Sequence, residues 1–209
     1  MVPIERPLSR RTALGFGAKV LLAISLAGCD AQNWYGTDVS GSMPDLDFTL
    51  TRASDGQIVK QTDFRGKIVA LFFGYTFCPD VCPVTLANLT ALTQSLGENA
   101  GRLSILFVTV DPERDTLEQL VRYVVNFTER ATALRGTDDQ LIKLTRRLRV
   151  TYKIADHVPG DANYEVSHGK SIYVFDAEGE ARLIWPSFET ADADIAAATR
   201  DIERLIADA

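Results

Sequence analysis

Two cysteines, Cys78 and Cys82, stand where an apolar run ends and a helical pattern begins. The run, residues 68–73, is rich in β-branched and aromatic side chains and predicts a buried strand. After Pro83, leucines recur at intervals of three and four residues, which predicts a helix. α/β folds place reactive groups at the carboxyl ends of strands, and a helix N-terminus there favours thiolates. The stretch therefore predicts a pair of reactive or metal-binding thiols.

The spacing of these two thiols is C-x-x-x-C, one residue longer than the C-x-x-C motif typical of thioredoxins. A separation of four places both sulfur atoms on one face of a helical turn, or lets a loop direct them to one point. Two converging thiolates are soft ligands that suit Cu(I) or Zn(II). A copper site of this kind usually needs a third ligand, for which an imidazole is the best candidate.

The sequence contains two histidines, His157 and His168. His168 stands two residues before a predicted strand, where a loop enters the sheet. In a thioredoxin-like sandwich that loop approaches the turn that carries the cysteines. His157 lies in a loop rich in Pro, Gly and Asp, and we expect solvated polar contacts for it. The sequence therefore favours His168 as the third ligand.

The N-terminus has the composition of an export signal. Basic side chains precede an apolar run, residues 20–27, that is far too short to span a bilayer as a helix. The run ends in Leu26-Ala27-Gly28-Cys29, which resembles the lipobox of bacterial lipoproteins. That resemblance implies cleavage before Cys29 and acylation of its thiol. Acyl chains would then hold the protein at the periplasmic face of the bacterial inner membrane.

The chain as a whole has the composition of an acidic globular protein. Hydrophobic residues make up 46% of the sequence, charged residues 24%, and the formal net charge is −6. This acidity argues against nucleic acid as a partner, because phosphate binding needs a basic face. We expect three parts: a lipoprotein signal peptide (1–28), a lipidated cysteine with a flexible tether (29–44) and one copper-binding domain (45–209).

The order of the predicted elements indicates the fold. Strands alternate with helices, and the chain closes on an antiparallel hairpin before its last helix, which predicts an α/β fold. More specifically, it predicts a thioredoxin-like sandwich with an added N-terminal β-hairpin. The predicted elements after the first helix are a strand at 103–110, a helix at 116–127, a strand at 133–136, a helix opened by a capping box at 137–148, an exposed loop or hairpin at 156–167, strands at 171–175 and 181–185, and a helix at 191–207.

Several motifs together resemble the SCO/SenC family of copper-binding assembly factors. The residues that carry the likeness are Phe73 to Pro83 around the cysteines, Asp63 to Lys67 before them, Val110 to Thr116 after them, and later Ser167-His168 and Ser171-Ile172-Tyr173. The resemblance extends over most of the chain, from the first hairpin to the final helix. As a set these motifs are highly specific, whereas C-x-x-x-C alone would be weak.

This resemblance implies a membrane-attached metallochaperone that binds copper, as Cu(I), Cu(II) or both, through Cys78, Cys82 and His168. It also implies a part in building the dinuclear CuA centre of cytochrome c oxidase. The implied partners are subunit II of the oxidase or its copper-delivery proteins. One departure from the family is Ser167, where relatives often carry Asp before the histidine. This serine leaves open which neighbouring group adjusts the properties of the imidazole as a ligand. It does not affect the assignment of His168 as a ligand.

Three alternatives compete with copper delivery. Without a metal, Cys78 and Cys82 would be a redox-active pair that exchanges disulfides with a partner, and His168 would not be needed. A thiol peroxidase of the peroxiredoxin type would need a threonine or serine three residues before its nucleophile; Tyr75 stands there, and Thr76 is one residue late. A copper store would need many methionines or histidines, and the chain has two of each. These comparisons favour binding of a single copper ion over ordinary enzymatic turnover.

Three carboxylates near the cysteines have less specific interpretations. Asp80 either caps the following helix or tunes the thiols, and the sequence favours neither. Asp111 and Glu113 flank Pro112 at the end of a strand. That position favours a turn beside the site over an acid–base pair.

Overall fold

The computed structural model describes residues 33–209, which contain ten strands and four α-helices. The predicted export signal and Cys29 lie outside this range. In chain order the elements are β1 (Thr37–Asp38), β2 (Thr49–Arg52), β3 (Ile58–Lys60), β4 (Ile68–Gly74), α1 (Val81–Ser95), β5 (Leu103–Thr109), α2 (Leu117–Val125), β6 (Ala131–Arg135), α3 (Asp138–Arg147), β7 (Tyr152–Ile154), β8 (Val166–His168), β9 (Ile172–Phe175), β10 (Ala181–Trp185) and α4 (Ile195–Ala207).

Eight of these strands form one sheet, in the order β1-β10-β9-β4-β5-β6-β2-β3. Strands β4, β5 and β6 run parallel to one another, and the other pairings are antiparallel. All seven residues of β4 and all seven of β5 are buried, so both faces of the sheet are covered at its centre. The predicted thioredoxin-like α/β sandwich is confirmed, and the predicted N-terminal hairpin, β2–β3, extends the sheet beyond β6.

Helices α2 and α3 begin at residues whose side chains cap them. Thr137 forms the predicted capping box with Gln140, and Thr116 forms another with Gln119 at the start of α2. Helix α1 begins at Val81, two residues before Pro83; its leucines are buried, and the helix packs against α4. Within residues 33–209, no helix combines the length and the apolar character that crossing a bilayer requires.

The segment predicted to be a flexible tether, 29–44, is folded in the part that the structure describes. Strand β1 pairs with β10 at the edge of the sheet. The backbone N–H groups of Tyr35 and Gly36 each donate to the carboxylate of Asp201 at 3.0 Å, and Trp185 Nε1 donates to it at 3.1 Å. A buried carboxylate and a strand edge thus satisfy backbone donors of the described part of this segment.

Strands β7 and β8 form a separate two-stranded hairpin that carries His168. Tyr152 pairs with His168, and Ile154 pairs with Val166. The segment between the strands, 155–165, contains most of the predicted exposed loop. A hairpin with so few residue pairs is only marginally stable by itself, so contacts with the rest of the domain must hold it in place.

Helix α3 ends in a Schellman motif that lacks the usual glycine. The N–H of Arg149 donates to the carbonyl of Arg146, and the N–H of Val150 donates to that of Thr145. This geometry requires a left-handed residue, and Arg149 adopts it with φ of 56°. A side chain in that conformation costs about 1 kcal/mol, which glycine avoids.

We therefore expect Arg149→Gly to raise the free energy of unfolding by about 0.5–1 kcal/mol, measured by urea denaturation. Arg146→Gly is the matched control, because Arg146 is an exposed arginine inside the same helix. Glycine there should lower the free energy of unfolding by about 1 kcal/mol. A loss of stability in both variants would contradict the assignment of strain to Arg149.

Candidate metal centre

The turn that joins β4 to α1 carries both cysteines. The N–H of Cys78 donates to the carbonyl of Tyr75 at 3.2 Å and closes the turn. Cys82 lies in the first turn of α1, followed by Pro83, whose missing N–H would have no partner there in any case. Both cysteines are free thiols, and Cys82 is the more deeply buried, at 1% exposure against 7% for Cys78. The buried thiol and the more accessible one therefore differ in surroundings.

A buried carboxylate, Asp115, holds this turn in place. It accepts hydrogen bonds from the Thr76 N–H at 3.1 Å, from Thr76 Oγ1 at 2.5 Å and from Thr109 Oγ1 at 2.5 Å. Burial raises the pKa of Asp115, while the bonds from Thr109 and Thr76 oppose that shift. The cysteine-bearing turn is thereby tied to the carboxyl end of β5.

The end of β4 approaches the buried sulfur very closely. A Cβ atom added at Gly74 would lie 2.5 Å from Cys82 Sγ and 2.6 Å from Phe107 Cε2. These distances are well inside van der Waals contact, so no side chain fits at this position without displacing the sulfur or the ring. Gly74 is needed here for close approach.

His168 brings an imidazole to the two sulfurs. Its Nε2 lies 3.5 Å from Cys82 Sγ, and its Nδ1 lies 2.9 Å from the carbonyl oxygen of Gly169. Because a carbonyl can only accept, Nδ1 carries the proton and Nε2 turns its lone pair toward the sulfurs. The ligand atoms of Cys78, Cys82 and His168 all lie within 4.8 Å of one another. That spacing suits donors to one ion, which binds sulfur at about 2.3 Å and imidazole nitrogen at about 2.0 Å.

The two thiols differ in proton affinity. A hydrogen bond from the Cys82 thiol holds the pKa of Cys78 well below its usual range. Burial opposes this shift, and the backbone N–H groups of Cys82 and Asp80 support it. That same hydrogen bond raises the pKa of Cys82, as do its burial and the charge on Cys78. Cys78 is therefore the thiolate of the pair and Cys82 its proton donor. The site holds one negative charge before any metal binds.

His157, the second histidine, lies outside this group. Its Nε2 is 2.9 Å from Glu113 Oε2, its Nδ1 is 2.8 Å from the carbonyl of Ala155, and its ring stacks on Tyr164. The expected polar contacts of His157 are present, but its side chain is only 15% exposed and stacked on a ring, so it is not solvated as expected. Across residues 33–209, one group of three His, Cys, Asp or Glu side chains lies close enough together to hold a metal ion. It consists of Cys78, Cys82 and His168.

The neighbouring carboxylates serve the architecture. Asp111 is fully buried and bonds to Arg114 and Tyr164, whereas Glu113 is exposed and meets His157, so the two form no acid–base pair. The predicted turn beside the site is present at residues 112–114. Asp80 precedes α1, but its side chain makes no capping hydrogen bond.

Sequence reasoning missed the structural roles of Arg114 and Asp115. The signal that could have found them is the presence of charged residues directly after a fully buried strand. Charged groups at such a position need partners inside the fold. Some of those partners come from segments distant in sequence. The carbonyl of Tyr164, which accepts from Arg114, lies 50 residues after it.

Known proteins are similar to this chain in sequence and in fold. A family model described as SCO1/SenC matches residues 40–206. The mitochondrial SCO2 homolog of Bos taurus is 39% identical over 126 residues, which cover 59% of this chain and 47% of that protein. Among the first curated relatives, which include two SCO2-like proteins from Rickettsia species, the matched part is 47% to 62% of the relative's length.

Solved structures extend the comparison. Bradyrhizobium japonicum ScoI with copper bound has a TM-score of 0.68 and 29% identity, and the match covers 77% of this chain and 98% of that one. A SCO1/SenC family lipoprotein from Bacillus anthracis has a TM-score of 0.65 and 25% identity, covering 77% of this chain and 94% of that one. The fold is thus similar to that of a copper-bound protein and to that of a lipoprotein.

The asymmetry between the thiols predicts how Cys78 reacts with iodoacetamide. Because the lowered pKa keeps Cys78 a thiolate, its alkylation rate in the metal-free protein should stay nearly constant from about pH 8 to about pH 6. A thiol of ordinary pKa, about 8.5, would slow about tenfold per pH unit over that range. The rate is measured by mass spectrometry of the peptide that contains Cys78.

Cys82→Ala removes the donor to Cys78, so the pKa of Cys78 should rise and its alkylation should slow as the pH falls. An equally flat profile in this variant would show that the Cys82 thiol is not what stabilises the thiolate.

Proposed function

The chain belongs to the SCO1/SenC family, and from this premise we propose that it binds one copper ion through Cys78, Cys82 and His168. The observation that carries this assignment is the convergence of three ligand atoms within 4.8 Å, although Cys82 and His168 are 86 residues apart. Two thiolates and an imidazole are the donors that suit Cu(I). The relative from Bradyrhizobium japonicum, which has copper bound, supports the choice of metal.

Each donor is prepared for a metal by its surroundings. Cys78 is already a thiolate, and Cys82 must lose its proton, so uptake of copper releases a proton to solvent or buffer. The carbonyl of Gly169 holds the His168 ring with Nε2 toward the sulfurs. Copper is the cargo of this site, and the chain supplies a soft, mostly enclosed set of donors for it.

The client that we assign to this cargo is the CuA centre of cytochrome c oxidase. The partners would be subunit II of the oxidase or its copper-delivery proteins. The support is the resemblance of the motifs around Cys78, Cys82 and His168 to those of copper-binding assembly factors. One copper ion per chain fits delivery to a client, because a store would need more ligands than two histidines and two methionines provide.

The place of action that we propose is the periplasmic face of the bacterial inner membrane, with Cys29 acylated after removal of residues 1–28. The support is the likeness of Leu26-Ala27-Gly28-Cys29 to a lipobox, together with the lipoprotein among the structural relatives.

A second candidate function is reduction of a partner's disulfide, and the thiolate–thiol pair favours it. The Cys78 thiolate would attack one sulfur of that disulfide, forming a mixed disulfide and releasing the partner's first thiolate, which takes the proton of Cys82. The Cys82 thiolate would then attack Cys78 and release the second thiolate, which water protonates. The partner gains two electrons, and Cys78 and Cys82 end as a disulfide.

Copper binding is tested by titrating the purified protein with Cu(I) against a competing chelator without oxygen. We expect one ion per wild-type chain and no tight binding by Cys78→Ser or Cys82→Ser. His168→Ala should weaken affinity by about tenfold or more, or about 1.4 kcal/mol. His157→Ala is the matched control and should bind like the wild type. Two tightly held ions, or unchanged affinity in His168→Ala, would contradict the assignment.

The same variants separate the two functions in cells that depend on the oxidase. Copper delivery requires that oxidase assembly fails in His168→Ala as well as in Cys78→Ser. Disulfide reduction requires the cysteines alone, so normal assembly in His168→Ala would favour thiol exchange.

Membrane attachment is tested by Cys29→Ser, which removes the sulfur that would be acylated. The variant protein should no longer be found in the membrane fraction, and it should not incorporate labelled fatty acid. Retention of the label would contradict lipidation at this residue. Alanine at Ser42 is the control, because that residue lies in the exposed segment near β1 and should leave attachment unchanged.

A further inference from the structure

The position of His168 depends on the register of a short strand. Along β8 and the residues before it, burial alternates: Tyr164 and Val166 are buried and His168 is half-buried, while Glu165 and Ser167 are exposed. Because side chains alternate between the two faces of a strand, a slip of one residue would turn Ser167 inward and His168 outward. Three residue pairs with β7 are a weak constraint on that register.

Arg114 supplies the stronger constraint. Its Nη1 donates to the carbonyl oxygens of Ala162 and Tyr164 at 3.0 Å each, and its Nε donates to Asp111. Asp111 in turn accepts from the hydroxyl of Tyr164 at 2.6 Å. The side chain of Arg114 is only 8% exposed, so these bonds lie largely out of water. Arg114 and Asp111 thus hold Tyr164, the residue four before His168, by both its backbone and its side chain.

Arg114 also contacts the cysteine-bearing turn. Its guanidinium carbon lies 3.7 Å from the centre of the Tyr164 ring, 5.0 Å from that of Phe77 and 5.5 Å from that of Tyr75. Tyr75 packs edge-on against the His168 ring at 5.7 Å. One planar cation therefore lies between the hairpin that carries the histidine and the turn that carries the cysteines.

We propose that Arg114, together with Asp111 and Tyr164, is a positioning residue that sets the register of β8 so that His168 Nε2 faces Cys82. This proposal rests on the proposed copper site wherever metal affinity is the quantity measured. The fork of the guanidinium is what lets one side chain bind a carboxylate, two carbonyls and aromatic faces together. A lysine would keep the charge but could not make this set of contacts.

The matched control is another partly buried arginine that pairs with a buried aspartate away from the site. Arg182, on β10, donates from Nη1 to Asp176 Oδ2 at 3.3 Å and is 22% exposed. Arg182→Gln removes a bond of the same type without touching the hairpin. It reports what the loss of a buried arginine costs the domain in general.

The test is a double-mutant cycle on Cu(I) affinity with Arg114→Gln and His168→Ala. We expect Arg114→Gln to weaken Cu(I) affinity about tenfold while His168 is present. In the His168→Ala background the same substitution should leave the affinity unchanged. Arg114→Lys should behave like Arg114→Gln, and Arg182→Gln should leave the affinity unchanged. An equal loss in both backgrounds, or no loss in either, would overturn the proposal.

Hydrogen exchange of the metal-free protein gives an independent readout. Arg114→Gln should speed exchange at the backbone amides of β7 and β8 relative to both the wild type and Arg182→Gln. Unchanged exchange there would overturn the positioning role. If the wild type binds no copper, the copper site fails, and the exchange rates alone decide the role of Arg114.

Should Arg114→Gln fail to fold, Tyr164→Phe takes its place in both measurements. It keeps the ring and loses only the hydrogen bond to Asp111, so a loss of about threefold in affinity is expected, again vanishing in the His168→Ala background. A loss that persists without His168 would overturn the proposal.

Discussion

Asp115 is a fully buried carboxylate that accepts hydrogen bonds from Thr76, just after β4, and from Thr109, the last residue of β5. Burying a carboxylate without such partners would cost much free energy of folding. The folded protein therefore keeps these hydrogen bonds, and with them the geometry that they impose on the turn. Because β4 and β5 are buried along their whole length, the turn after β4 takes its position from the fully buried centre of the sheet. The sulfur positions and the start of α1 follow from that turn.

Much of the site could be predicted from local patterns. The alternation of apolar runs and helical periods placed Cys78 and Cys82 at a strand end, and the same pattern placed His168 just before β9. The topology of the sandwich then brought the segments together, since β9 lies next to β4. Their proximity could be predicted because these residues lie at or near the ends of elements, where the order of strands determines which segments meet.

The parts that could not be predicted depend on contacts between distant segments. The pairing of Tyr35 and Gly36 with Asp201 spans more than 160 residues and leaves no periodic signal, so a short polar segment resembled a tether. Likewise, the pattern around Asp111 indicates only a turn, whereas its burial depends on Arg114 and on Tyr164 from the later hairpin. Such ion pairs and hydrogen bonds depend on three-dimensional placement, which hydrophobic periodicity does not encode.

Gly74 matters to anyone who would transplant this motif onto another scaffold. A designer who copied only C-x-x-x-C after a strand that ends in alanine would place a methyl carbon in the volume that the Cys82 sulfur occupies. The recipient strand would have to end in glycine and face an aromatic ring placed like that of Phe107. The smallest portable unit is therefore a strand end, its parallel neighbour and the turn between strand and helix, rather than five consecutive residues.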